Sequence, residues 1–159
     1  MEFTLEQLTP DNLKMLFEQG FFEVTDCYPP ELDEDGDIKH WGSIFVKEDG
    51  CFYRVMPAVD AEFIQFSYTL WVPSEKLPPA EVMLKVSNYY DVSPVHMHYR
   101  GIDDDGDVQI QMIYSQIFPT GGQIEAKKLI KIFKTFIKLT QRNLKRLPKV
   151  VNKMKEGDE

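Results

Sequence analysis

The sequence predicts an α+β fold: an antiparallel sheet with helices on one face, in the order α-β-β-β-α-β-β-α, with one more short strand after the first helix. Three observations carry this. Three segments place apolar residues at helical spacing, several shorter ones alternate apolar and polar residues, and Asp-Gly pairs separate two couples of those strands.

The first helix opens at Thr9, an N-cap residue, followed by Pro10 at the first helical position and Asp11 at the positive end of the dipole. Leu13, Leu16 and Phe17 form its stripe, and Gly20 supplies the stop. Phe21 to Thr25 reads as the short extra strand, and Tyr28 to Lys39 as an acidic, Pro-containing loop. Ser43 to Lys47 and Cys51 to Met56 form a hairpin around Asp49-Gly50. In the strand Glu62 to Val72, Ile64, Phe66, Tyr68, Leu70 and Val72 face one way and Gln65, Ser67 and Thr69 the other.

Pro78 and Pro79 open a second helix running to about Tyr90, with Val82, Val86 and Tyr89 buried and Met83 and Tyr90 beside them. Pro94 prevents its continuation. A second hairpin, Val95 to Arg100 and Asp107 to Phe118, turns at the acidic run Asp103 to Asp107. His96, His98 and Arg100 share one face of its first strand, and Gln109, Gln111 and Ser115 one face of its second. The last helix starts near Gly121-Gly122 and runs to about Arg146. Leu129, Ile130, Phe133, Phe136, Ile137, Thr140 and Leu144 lie inward, and Lys127, Lys131, Lys134, Lys138, Arg142 and Lys145 outward. Pro148 ends it, so residues 1–147 form one domain and residues 148–159 a charged tail.

The composition narrows the function classes. At 43% hydrophobic and 28% charged, the 159 residues can fill a core. No apolar run is long enough for a bilayer span, and the N-terminus lacks the pattern of a signal peptide. With only two cysteines, a cytoplasmic location is expected. The net charge of −8 is uneven: 22 acids against 7 bases up to Ile124, then 11 bases against 4 acids. The acidic body repels phosphates, which excludes nucleic acid as the expected partner.

Several details match a known pattern. Leu16 to Val24, LFEQGFFEV, leads from the first helix into a strand through Gly20. Val86 to Tyr90, VSNYY, is an apolar-Asn-aromatic element, and Gly121-Gly122 precedes a helix with Leu129 and Phe133 or Phe136 in apolar places. With these residues, from about Thr9 to Phe136, the chain resembles the YbjN-domain family, whose fold is similar to type III secretion chaperones. The family's second Asn is replaced here by Asp91. The resemblance implies a homodimer that binds another protein, as a regulator or in a chaperone-like role, without enzymatic chemistry or cofactor.

Motifs that carry chemistry are incomplete. With Gly36 or Gly106 at the central glycine of an EF-hand loop, the twelfth position falls on Gly42 or Met112 rather than on the required Glu. His96 and His98 could share a divalent metal, but no third ligand is evident, and no metal site is expected. Cys27 and Cys51 read as buried, inert thiols. His96, His98, Arg100, Gln109 and Gln111 instead make a polar recognition surface. Trp71, Asn88, Tyr89 and Tyr90 are its candidate aromatic and amide companions, and the last three have a structural alternative, with Asn88 bonding nearby backbone and the tyrosine rings in the core. The competing reading is an acidic immunity protein that neutralises a basic toxin through Glu31 to Asp37 and Asp103 to Asp107. A third, a membrane-surface adaptor using the last helix, would need the stripe that the core already uses.

Overall fold

Thr9 caps the first helix as its residue type requires, its hydroxyl accepting the Asn12 amide at 3.3 Å, with Pro10 at the first helical position. The computed structural model describes residues 1–119 and 121–156. In chain order the elements are β1 (Glu2–Phe3), α1 (Pro10–Gln19), β2 (Glu23–Tyr28), β3 (Glu31–Leu32), β4 (Ile38–His40), β5 (Ser43–Glu48), β6 (Cys51–Ala58) and β7 (Phe63–Pro73). There follow α2 (Ala80–Tyr89), β8 (His96–Ile102), β9 (Asp107–Ile117), β10 (Ile124–Glu125) and α3 (Ala126–Lys155). Six strands form one antiparallel sheet in the order β2-β5-β6-β7-β9-β8, while β1 with β10 and β3 with β4 make two small ribbons. The expected α+β class and element order are present, and the extra strand after α1 is a full edge strand, β2.

The chain divides into two compact units, Met1–Ser67 with Ser115–Lys134, and Tyr68–Tyr114 with Thr135–Glu159. In the first unit the inward residues of β5 and β6 are Ile44, Val46, Tyr53 and Val55, all buried. Phe133 of α3 is the hub above them. Its ring centroid lies 4.9 Å from Phe17, 5.2 Å from Phe22, 5.6 Å from Phe66 and 6.0 Å from Tyr53, mostly edge to face. Such pairs add about 0.5–1.5 kcal/mol each beyond simple burial.

Helix α1 ends differently from expectation. Gly20 keeps φ at −80°, and the left-handed residue is Phe21 at φ 66°. The amide of Phe22 donates to Phe17 C=O and that of Phe21 to Glu18 C=O, both at 3.0 Å, which is a Schellman ending with an aromatic in the position glycine favours. At Gly20 the space is tight: a Cβ there would lie 3.3 Å from both Ile130 Cδ1 and the Phe17 carbonyl oxygen.

In the second unit Met83 and Val86 of α2, Met97 of β8 and Val108, Ile110 and Met112 of β9 form the core. Ser87 Oγ ties α2 to β8 by donating to Met97 C=O at 2.8 Å. Tyr89, expected in the buried stripe, is exposed, and the inward aromatic is Tyr90.

Helix α3 corrects the expected boundaries at both ends. It begins at Ala126 rather than near Gly121, because Ile124 and Glu125 first pair with Phe3 and Glu2. It continues through Pro148 to Lys155. The proline removes one backbone donor, yet Val150 beyond it is buried, and that burial offsets the loss. The expected tail is therefore helical to Lys155, and its last residues, 157–159, lie outside the described residues. Among the described residues no helix is long and apolar enough to cross a membrane.

Candidate binding surface

In β8 Met97 turns into the core, so its neighbours His96, His98 and Arg100 turn to the other face of the second unit's strands. On β9 the same alternation sends Val108, Ile110 and Met112 inward and Gln109 and Gln111 outward. The register places His98 opposite Gln111 and His96 opposite Ile113.

These side chains are held. Arg100 Nε donates to Gln111 Oε1 at 2.9 Å, and Gln111 Nε2 donates to Thr69 Oγ1 at 3.3 Å. A polar ladder thus crosses β8, β9 and β7. Trp71, on the same face of β7 as Thr69, is 56% exposed. The His98 imidazole is held below its ordinary value, first by partial burial and then by the charges of Arg100 and His96, with Asp91 acting the other way. It is therefore a neutral donor or acceptor at neutral pH.

β8 is an edge strand, and it is blunted: Gly101 takes φ +91°, and the register with β9 shifts between Tyr99 and Ile102. Such a bulge disfavours unplanned strand addition along that edge.

The three residues from the end of α2 do not join this face. Asn88 and Tyr89 are exposed, and Tyr89 lines a cavity of about 390 Å³ with Arg146, Lys149, Val150 and Lys153. Lys153 Nζ lies 5.9 Å from its ring centroid. Tyr90 is buried, its hydroxyl donating to Asn143 C=O at 3.0 Å, and burial followed by the proximity of Tyr89 raises its pKa. Tyr90 is a structural residue, and the partner surface expected to include it loses it.

Among the described residues no group of three His, Cys, Asp or Glu side chains could hold a metal ion. The thiols expected to be buried, Cys27 and Cys51, are half-buried. Desolvation, then the Asp11 carboxylate 3.6 Å away, raises the pKa of Cys27, which keeps it protonated. Both acidic turns are hairpin ends closed by their own first aspartate.

Two groups escape a sequence reading. Asn143 sits within the apolar stripe of α3, where nothing but its amide distinguishes it. In the first unit the outward face of β5 and β6 carries Phe45, Phe52, Arg54 and Met56, so apolar side chains occupy both faces and alternation assigns neither.

The chain is thus an α+β fold whose second unit carries a polar strand face built around the Arg100–Gln111–Thr69 ladder. No protein-family model matches the chain, and no curated protein matches it by sequence. Among solved structures it is similar to the crystal structure of YbjN from E. coli, described as a candidate transcription regulator. The likeness covers 92% of each chain at 13% identity, with a TM-score of 0.54. The chain has a YbjN-like fold.

Proposed function

We propose that this chain is a non-enzymatic, protein-binding module that acts as a homodimer, with the face bearing Trp71, His96, His98, Arg100, Gln109 and Gln111 as its partner surface. The observation that carries the reading is the Arg100–Gln111–Thr69 ladder beside exposed Trp71. Its long polar side chains are ordered before a partner arrives, which lowers the entropy lost on binding, and Trp and Arg are the residue types that dominate binding hot spots. The description of E. coli YbjN as a candidate transcription regulator supports a regulatory rather than a catalytic role.

The test is sedimentation of the purified chain, followed by capture of bound proteins from its native cells and reconstitution of the purified pair. The reading expects twice the 18.6 kDa chain mass and a stoichiometric protein partner. A monomer with no partner, or turnover of a defined substrate lost on changing His96 or His98, overturns it.

A further inference from the structure

The open face of the first unit has a feature that its own residues leave unsatisfied. Arg54 lies on the outward face of β6, directly opposite Phe45 of β5. Strand alternation puts Phe52 and Met56 on either side of it. Phe52 and Tyr28 are about half exposed, and the Tyr28 ring meets Phe45 edge to face at 6.0 Å. Within this apolar setting the Arg54 Nε is buried and has no hydrogen-bond partner, and the described residues give the guanidinium no ion pair. Partial burial pulls its pKa down, with no opposing charge to offset the desolvation. Arginine nonetheless stays charged at neutral pH, so the half-buried guanidinium carries a desolvation cost at its unpartnered Nε in the isolated chain. A methionine of similar length would fill the same space without that cost.

We infer that this face is a docking surface for a segment of a protein partner that carries a carboxylate between apolar side chains, with Arg54 as the anchor. The carboxylate would accept paired hydrogen bonds from the guanidinium, and the flanking apolar groups would cover Phe45, Phe52 and Tyr28. Lys47, whose Nζ is 5.9 Å from the Phe52 ring centroid, adds a second cation at the rim. The register also puts Glu23 opposite Lys47 and Asp26 opposite Phe45, so the face carries two carboxylates beside its two cations, and charge complementarity at Arg54 selects a single carboxylate rather than a polyanion. This surface is separate from the residues of the proposed function above.

The experiment uses the full chain and two fluorescent, end-capped pentapeptides, Ile-Phe-Glu-Phe-Ile and its Glu-to-Gln counterpart. The wild-type chain is expected to bind the Glu peptide roughly tenfold more tightly, the usual gain for a charge-assisted hydrogen bond. Arg54→Met and Arg54→Gln should both lose that preference while unfolding at or above the wild-type temperature. Arg100→Ala should keep it, which separates this surface from the β8–β9 face. Chemical-shift mapping should place the peptide at the Phe45, Phe52 and Arg54 amides. Equal affinity for both peptides, binding of neither, or a preference that survives Arg54→Met overturns the proposal. So does a dimer that Arg54→Met converts to monomer, since the occupant would then be a second copy of the chain.

Discussion

Tyr90 and Asn143 hold each other's elements in place inside the second unit. The Tyr90 hydroxyl donates to the Asn143 carbonyl at 3.0 Å, and Asn143 Nδ2 donates to Val95 C=O at 3.3 Å, so α3 is tied to the end of α2 and to the start of β8. Both residues are only 3% exposed. Buried polar groups are costly when one partner is removed. Tyr90→Phe is expected to lose about 1 kcal/mol, and Asn143→Ala about 2 kcal/mol, because the latter leaves Val95 C=O unsatisfied. Urea unfolding monitored by tryptophan fluorescence measures both. Equal, negligible losses would show that the two bonds contribute nothing to the fold.

Asp33 and Asp103 build the same turn twice. Each uses Oδ1 to accept the amides two and four residues on: Asp35 and Asp37 in one case, Asp105 and Asp107 in the other, all at 2.8–3.0 Å. Gly36 and Gly106 then take φ of +86° and +82°. The carboxylates are the architecture of the hairpin ends. Asp33→Ala and Asp103→Ala should each cost about 1 kcal/mol and should be additive, as two separate turns require. Thermal unfolding of the single and double variants checks this, and a double loss much smaller than the sum contradicts it.

Phe21 occupies a left-handed backbone position while its side chain is 97% exposed. The position costs a non-glycine residue about 1–2 kcal/mol, and no burial offsets it. Phe21→Gly is therefore expected to stabilise the chain by about 1 kcal/mol, read as an upward shift of the unfolding midpoint. A destabilised variant would mean that the ring makes a contact worth more than the strain.

His98 gives the chain a small acid sensitivity. Its folded pKa lies below the ordinary 6.5, because partial burial, Arg100 and His96 outweigh Asp91. As pH falls through that value the unfolded chain binds its proton first, so stability contributed above it is lost below it. The wild-type chain should lose more stability than His98→Gln between about pH 8 and about pH 5. Parallel pH profiles of the two would contradict the shift.

The fold was legible where one local rule acted alone. Thr9-Pro10 set the start of α1, the Asp-Gly pairs set the hairpins, and the spacing of Leu129, Phe133, Phe136 and Thr140 set the buried side of α3. Reading failed where two rules competed. Pro148 signals a stop, but buried Val150 carries the helix past it; Gly20 looks like a left-handed cap, but Phe21 takes that role. The outward face of β8 and β9 was visible because its residues are polar. The Arg54 face was not, because Phe45 and Phe52 make the outer side of the hairpin look as apolar as the inner. Tyr89 and Tyr90, adjacent in sequence, diverge to cavity wall and core, and only tertiary packing tells them apart.

The central claim is that the chain works by binding a protein through the face that Trp71 and the Arg100–Gln111–Thr69 ladder define. The most direct measurement is the dissociation constant of the reconstituted pair for the wild type, Trp71→Ala and Arg100→Ala, with unfolding midpoints recorded alongside. Hot-spot residues cost at least about 2 kcal/mol when truncated, so each variant should weaken the complex by about 30-fold at unchanged stability. Wild-type affinity in both would contradict the account and move the partner surface elsewhere on the chain.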